Sequence, residues 1–176
     1  MSESLARELV RESVVQLQDL SLSRLRACFE ALNEEQVWQR PGPSVVSIGH
    51  LVLHLNGNVR QWICAGLGGA ADHRVRDTEF ETDQHRPASE LLAVTEETLK
   101  DAVAVLERMD EADLLRSYSI QGFEGTGVAA VVHVVEHFSY HVGQVSYWTK
   151  ILCDVDLGYY ADEDLDQRND ASRPKS

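Results

Sequence analysis

The sequence predicts an all-α protein, a four-helix bundle with a long crossover loop. Four long segments carry apolar residues at the three- and four-residue spacing of an amphipathic helix. Clusters of glycine and proline separate these segments. The 176 residues are 43% hydrophobic and 26% charged, which is typical of one folded domain. We therefore expect one domain over residues 1–155 and an acidic, flexible tail over residues 156–176.

The first two predicted helices are separated by a proline-containing connector. The first helix is predicted over about residues 4–32, which contain neither glycine nor proline. The connector contains Pro41–Pro43, and either Ser44 or Ser47 is suited to cap the next helix. The second helix is predicted over residues 48–65, because a cluster of three glycines follows it directly.

A polar segment over residues 70–87 is interpreted as a crossover loop, and because it is longer than most connections inside a domain it indicates either a long bundle crossover or a functional loop. The third helix is predicted over about residues 89–109. Three glycines and several β-forming residues over 118–127 predict a turn or a short hairpin. Thr126 is suited to cap the fourth helix, which is predicted over about residues 128–152.

The charge balance excludes some classes of partner. Lysine and arginine number 16 against 29 aspartates and glutamates, which gives a formal net charge of −13. A nucleic-acid backbone or an anionic membrane needs a basic patch, and no run of basic residues supplies one. The sequence has no apolar leader and no uncharged run long enough to cross a bilayer, so we expect a cytoplasmic protein. The three cysteines show no CxxC spacing and are interpreted as reduced thiols.

The seven histidines include three pairs spaced four residues apart, where chance placement gives fewer than one. Each pair lies in a predicted helix, where residues i and i+4 are neighbours on one face. Two such imidazoles can bind one metal ion, and a facing helix of a bundle can add a third ligand. The pairs are His50/His54, His133/His137 and His137/His141.

A site of three histidines is typical of catalytic metal centres, because it leaves one coordination position open for water or substrate. Neutral imidazole is the commonest nitrogen ligand for Zn, Ni, Cu and Fe. A histidine that hydrogen-bonds a carbonyl on an apolar helix is the ordinary alternative. His50 and His133 lie one helical turn away from His54 and His137. For these two residues, a role as metal ligand and a purely structural role are both open. His73 and His85 are expected on the surface of the crossover loop.

A competing motif lies within the fourth helix. His133, Glu136 and His137 fit the H-x-x-E-H pattern of inverted zinc proteases, in which both histidines bind zinc and the glutamate is the base. Such a peptidase also needs a third ligand downstream and a substrate cleft. A chain of this length with no evident sheet offers little room for one. We therefore expect Glu136 beside the ligands or on the surface.

Two motifs resemble those of the DinB/YfiT-like superfamily of metal-dependent proteins. Residues 47–54 (SIGHLVLH) match that superfamily's SIG-x-x-x-x-H helix start, and residues 137–145 (HFSYHVGQV) match its H-x-x-x-H-x-G-Q helix. The Leu-x-Gly-Asn-x-x-x-Trp stretch over residues 55–62 is similar to one subgroup without an assigned activity. The resemblance implies an up-down-down-up four-helix bundle with a long crossover, in a chain that often forms homodimers.

The resemblance also implies a divalent metal ion bound by His54, His137 and His141. The few members with assigned reactions are thiol-dependent transferases or isomerases. This implies that a low-molecular-weight thiol takes part in the reaction and that the metal ion binds and activates it.

We therefore expect a metal-dependent enzyme that acts on a small molecule, of the thiol-dependent transferase or isomerase type. Zinc is the first expectation for the metal, with nickel or iron as alternatives, and the residues assign no catalytic group. The alternative is a non-catalytic metal-binding stress or structural protein, which a fourth protein ligand would indicate. Candidate side chains around the site are His50, Asn58, Trp62, His133, Tyr140 and Gln144.

Overall fold

The computed structural model describes residues 4–81 and 85–168, and it confirms the all-α bundle. None of the helices in this part of the chain is long and apolar enough to cross a membrane. The elements in chain order are α1 (Leu5–Val14), a π-helical segment π1 (Val15–Ser21), α2 (Leu22–Ala31), α3 (Glu34–Trp38), α4 (Ile48–Val59), a second π-helical segment π2 (Arg60–Leu67), α5 (Thr78–Glu81), α6 (Ala88–Leu106), α7 (Glu111–Leu115), β1 (Ser117–Ile120), β2 (Phe123–Thr126) and α8 (Gly127–Cys153).

Four long rods form the bundle. The first rod is α1, π1 and α2 in succession, and the second is α4 followed by π2. The third and fourth rods are α6 and α8, and each of them packs against both the first and the second rod. The apolar faces of all four rods therefore meet in one core, whose burial is the main force that holds the bundle together. Fully buried side chains from the four rods include Leu17, Leu25, Leu55, Ile63, Leu99 and Phe138.

The predicted caps of the two site-bearing helices are confirmed. Ser47 begins α4 through a reciprocal capping box in which its Oγ accepts from the backbone N–H of His50 and the His50 side chain accepts from the N–H of Ser47. Thr126 begins α8, and its Oγ1 accepts from Ala129 N at 3.2 Å. Of the two serines suited to cap the second helix, Ser47 is the one used. These contacts satisfy N–H groups that an uncapped helix start leaves unpaired.

The crossover loop that the sequence predicts contains regular structure. It contains the one-turn helix α5, which packs against α4. The one-turn helices α3 and α7 were also not predicted, although each begins with a capping box, at Asn33 and Asp110. Helices of four or five residues are too short to show a periodic apolar pattern, so only their caps could have revealed them.

The predicted short hairpin is confirmed as an antiparallel pair of strands. Its register runs from Ser117 opposite Thr126 to Ile120 opposite Phe123. The two turn residues, Gln121 and Gly122, have φ values of 55° and 80°. Positive φ at both positions is the type I′ geometry that matches the twist of a hairpin, which explains the glycine. The hairpin lies against π2 and α8.

The first residues of the predicted tail contact the bundle. Leu157 packs on the core, and the Tyr159 hydroxyl lies 2.7 Å from Ser146 Oγ. The Arg24 guanidinium lies over the Tyr159 ring at 5.4 Å from its centroid, a cation–π contact. The flexible tail over residues 156–176 stays a prediction, and residues 169–176 lie outside the described residues.

Candidate metal centre

The three predicted ligands lie together between α4 and α8. His54 projects from α4, and His137 and His141 project from successive turns of α8. One ring nitrogen from each side chain lies within 4.8 Å of the others. Within residues 4–81 and 85–168, this is the one group of three or more His, Cys, Asp or Glu side chains close enough to hold a metal ion. His54 is buried, whereas His137 and His141 are half-buried.

The spacing of the donors fits a small divalent ion. The Nε2 atoms of His54 and His137 are 3.2 Å apart. In a tetrahedral zinc site with Zn–N bonds of about 2.0–2.1 Å, two ligand nitrogens are separated by about 3.3 Å. A hydrogen bond between two neutral imidazoles also fits this distance. Whether the ring nitrogens of the cluster can bind a metal ion therefore depends on which nitrogen of each histidine carries the proton.

A buried ion pair from the crossover orients His54. The Glu79 Oε2 atom on α5 lies 2.8 Å from His54 Nδ1, and Arg74 binds both Glu79 oxygens through Nε and Nη2 at 2.7 and 2.9 Å. The side chains of Arg74 and Glu79 are only 5% and 9% exposed. No sequence pattern indicates this pair, because both residues lie in the predicted crossover loop.

The ionisation of Glu79 assigns the proton on His54. Burial raises the pKa of the Glu79 carboxyl, but hydrogen bonds from His54 and Arg74 outweigh burial, and the pKa is lowered overall. An ionised carboxylate can only accept, so the short contact places the proton on His54 Nδ1. The Nε2 lone pair of His54 is then directed at the cluster. A carboxylate that holds the distal N–H of a histidine is the usual support of a metal ligand.

Gly57 lets this ion pair reach α4. A Cβ atom at Gly57 would overlap Glu79 Oε1 and would lie 2.9 Å from Arg74 Nε. The glycine of the Leu-x-Gly-Asn motif is therefore the place where the crossover segment approaches the helix. The glycine in that motif was the one sequence signal that could have indicated a close contact on this face of α4.

A second acceptor orients His141. Gln144 Oε1 lies 2.7 Å from His141 Nδ1, and Gln144 Nε2 donates to the Tyr140 hydroxyl at 3.2 Å. The amide oxygen accepts, so Nδ1 of His141 carries the proton and its Nε2 lone pair is free. Tyr140 and Gln144 are exposed, so this side of the cluster faces solvent. The two predicted residues therefore do lie at the cluster, as supports of a ligand.

Electrostatics keep the α8 ligands uncharged. Burial, together with the neighbouring histidines, lowers the pKa of His137 to about 3. Burial also lowers the pKa of His141, against the opposing effect of its hydrogen bond to Gln144. His137 Nδ1 is buried and hydrogen-bonds no described residue. Both imidazoles are neutral at pH 7, which is the form that binds metal.

The remaining predicted residues lie outside the cluster. His50 caps α4 and packs edge-on against Trp38 at a ring-centroid distance of 5.3 Å. His133 packs on Trp62 at 4.1 Å, and Asn58 Nδ2 lies 3.4 Å from His133 Nε2. Neither His50 nor His133 belongs to the described group of donors.

The two loop histidines are exposed, as expected for the crossover. His85 stacks on Trp38, and its ring centroid lies 4.6 Å from that of the indole. Glu136 is also exposed and faces a groove beside α1. The H-x-x-E-H interpretation requires His133 as a ligand and therefore does not match this geometry.

We predict that His137→Ala abolishes stoichiometric binding of zinc, because it removes the central donor of the cluster. His73→Ala is the matched control, since His73 is exposed and lies outside the cluster. Elemental analysis after dialysis against zinc measures both. Full zinc content in His137→Ala would exclude this cluster as the metal site.

We predict that Gly57→Ala weakens zinc binding about tenfold to a hundredfold, which is the usual cost of losing the support of a metal ligand. The added methyl group displaces Glu79 and leaves His54 without its acceptor. Gly143→Ala on α8 is the control, because a Cβ there meets no atom within 4 Å. Competition with a chromophoric chelator measures the affinity. Equal affinities for wild type and Gly57→Ala would show that the ion pair does not support the site.

We predict that the metal-free protein loses stability as the pH falls from about 6.5 towards 3. His137 takes up its proton at about pH 3 in the folded state, whereas an unfolded histidine does so near pH 6.5. The unfolded chain therefore binds more protons than the folded chain in this pH range. The free energy of unfolding therefore decreases as the pH is lowered. Urea unfolding at pH 7, 6 and 5 measures the slope. His137→Gln should show a shallower slope, and an unchanged slope would contradict the assignment.

Comparison with solved structures identifies the fold. A DinB-like protein from Bacillus subtilis is 17% identical, with a TM-score of 0.62 over 85% of this chain and 94% of that one. A DinB-like protein from Bacillus cereus is 16% identical, with a TM-score of 0.63 over 79% of this chain and 90% of that one. A conserved protein from Enterococcus faecalis is 16% identical, with a TM-score of 0.61 over 88% of this chain and all of that one. At these identities the likeness shows a shared fold.

The family assignment comes from the sequence. No curated protein matches the chain. A family described as "Protein of unknown function (DUF1572)" matches residues 4–160, which is most of the chain. The fold is therefore DinB-like, as the paired histidine motifs predict, and the protein belongs to the DUF1572 family.

Proposed function

We propose that this protein is a metal-dependent enzyme that transfers or rearranges a small molecule with the help of a low-molecular-weight thiol. His54, His137 and His141 are the metal ligands in this proposal, and zinc is the proposed ion. The observation that carries it is the convergence of three imidazoles with no fourth protein donor among the described residues. Three protein ligands leave one position of a tetrahedral ion for an exogenous group, which favours a catalytic role.

The chain's own residues hold the ligands in a reactive arrangement. Glu79 and Gln144 accept the distal N–H groups of His54 and His141, so both rings present lone pairs to the same point. Arg74 balances the charge of Glu79, so the buried support is neutral overall. A bound zinc ion would lower the pKa of a coordinated thiol, so that the thiolate nucleophile exists near neutral pH.

The proposed reaction is of the S-transfer class. The thiol sulfur forms a bond to an electrophilic carbon of the substrate, and a leaving group departs with its electron pair. The thiol proton is released to water. Exposed Tyr140 and Gln144 line the solvent side of the cluster, which leaves room for a flexible thiol to approach.

The alternative, a non-catalytic metal-binding protein, requires a closed coordination shell. His50 and His133 were the side chains that could have supplied a fourth ligand, but each is held elsewhere, by Ser47 and by Trp62. This arrangement favours the enzymatic proposal.

We predict that cobalt-substituted protein gains a sulfur-to-cobalt charge-transfer band when millimolar glutathione is added. The band arises because a soft thiolate competes well with water for the open position. The protein carries Cys28→Ser, Cys64→Ser and Cys153→Ser, so that no internal thiol supplies the band. The buried Cys28 tolerates serine, because the Ser146 and Tyr159 hydroxyls surround its sulfur.

The same measurement on cobalt-treated His137→Ala is the control, and it should show no band. An unchanged spectrum with cobalt demonstrably bound to the cysteine-free protein would contradict the thiol-dependent proposal. It would then favour the non-catalytic alternative or a site that uses water.

A further inference from the structure

An aromatic pocket lies beneath the β-hairpin, on the side of the histidine cluster away from Gln144. It is a cavity of about 160 Å³ between π2, the hairpin and the first turns of α8. Its walls include Trp62, Tyr118, Ile120, Phe123, Ala129 and His133. We refer to this cavity as the aromatic pocket.

The walls of the aromatic pocket are held in place by their own hydrogen bonds. Trp62 is 9% exposed, and its indole N–H donates to Gln121 Oε1 at 3.1 Å. The Tyr118 hydroxyl donates to the carbonyl of Asp113 at 3.1 Å. Phe123, in contrast, is 65% exposed and lies over Trp62 with ring centroids 6.2 Å apart. A fixed aromatic floor with an exposed ring at the rim is suited to holding a flat apolar group.

The aromatic pocket adjoins the histidine cluster through His133. His133 lines it and packs on Trp62, and the His133 ring centroid is 5.5 Å from that of His137. A ring bound in the aromatic pocket therefore lies against His133, the residue that adjoins the ligand cluster.

The size and charge of the aromatic pocket narrow its ligand to one class. A cavity of about 150 Å³ with apolar walls is large enough to bind benzene, and this one measures about 160 Å³. None of the described residues that line it is lysine or arginine, while Glu124 lies at its edge. The aromatic pocket therefore offers no positive side chain to pair with an anionic ligand.

We propose that the aromatic pocket binds an uncharged six-membered aromatic ring that carries a short substituent. This ring is the recognition group of the substrate on which the metal centre acts. The second statement rests on the proposed function, whereas binding of the ring to the aromatic pocket does not.

The test uses 4-fluorobenzyl alcohol as the probe, with binding followed by ¹⁹F line broadening and by the shift of the Trp62 indole N–H signal. The full-length protein is examined with and without zinc. We expect a dissociation constant of about 1 mM, which is typical of a ligand of this size. Ala129→Leu fills the aromatic pocket from an exposed helix position and should weaken binding about tenfold or more. Ala112→Leu, at an exposed position of α7 outside the pocket, should bind the probe like wild type.

Phe123→Ala is the second variant, since removal of an exposed ring leaves the fold intact and should weaken binding several-fold. Zinc content of each variant serves as the folding control. Equal affinity in wild type and Ala129→Leu, or no broadening in wild type at 10 mM probe (about ten times the expected constant), overturns the proposal.

The probe experiment separates the two proposals. Pocket binding that persists in His137→Ala supports the aromatic pocket even if the metal-dependent function fails. Zinc binding at the cluster without any probe binding overturns the aromatic pocket alone.

Discussion

The packing of α4 against α8 is the constraint on which the candidate site depends. His54 and His137 are 83 residues apart in the chain, and their Nε2 atoms come within 3.2 Å only because the two helices share one core. Leu55 and Phe138, each adjacent to one of these ligands, are almost fully buried in that core. A site built between packed helices is held more rigidly than one built on loops. The same burial keeps the imidazole of His137 uncharged and therefore able to bind a metal ion.

The crossover segment contributes to the site as well as connecting two rods. It brings Arg74 and Glu79 against α4, where the carboxylate fixes the ring of His54. A buried ion pair contributes little net stability, because the cost of removing two charges from water offsets their attraction. The position of this pair is therefore explained by what it does to His54 rather than by what it adds to the fold. Gly57 makes room for this ion pair, since any side chain at that position would exclude Glu79 and Arg74.

The histidine cluster has two different surroundings. On one side, Tyr140 and Gln144 are exposed and polar. On the other, His133 separates the cluster from the aromatic pocket, whose floor is the buried indole of Trp62. The polar, exposed side suits a hydrophilic thiol. The apolar side suits an uncharged ring. The proposed thiol and the proposed aromatic ring would therefore occupy complementary halves of the same site.

The sequence by itself determined the four rods, the cap at Thr126 and the histidine pairs that the site draws on, because apolar periodicity and helical i, i+4 spacing are local properties. Local spacing could not separate His50 from His54, since both lie on the same face of α4. Only the tertiary structure decided that His50 serves the cap while His54 faces α8. It alone also brought Glu79 to the cluster, because a residue in a non-periodic crossover carries no signal of its partner. That pairing depends on how the chain folds back on itself, which is set by long-range packing.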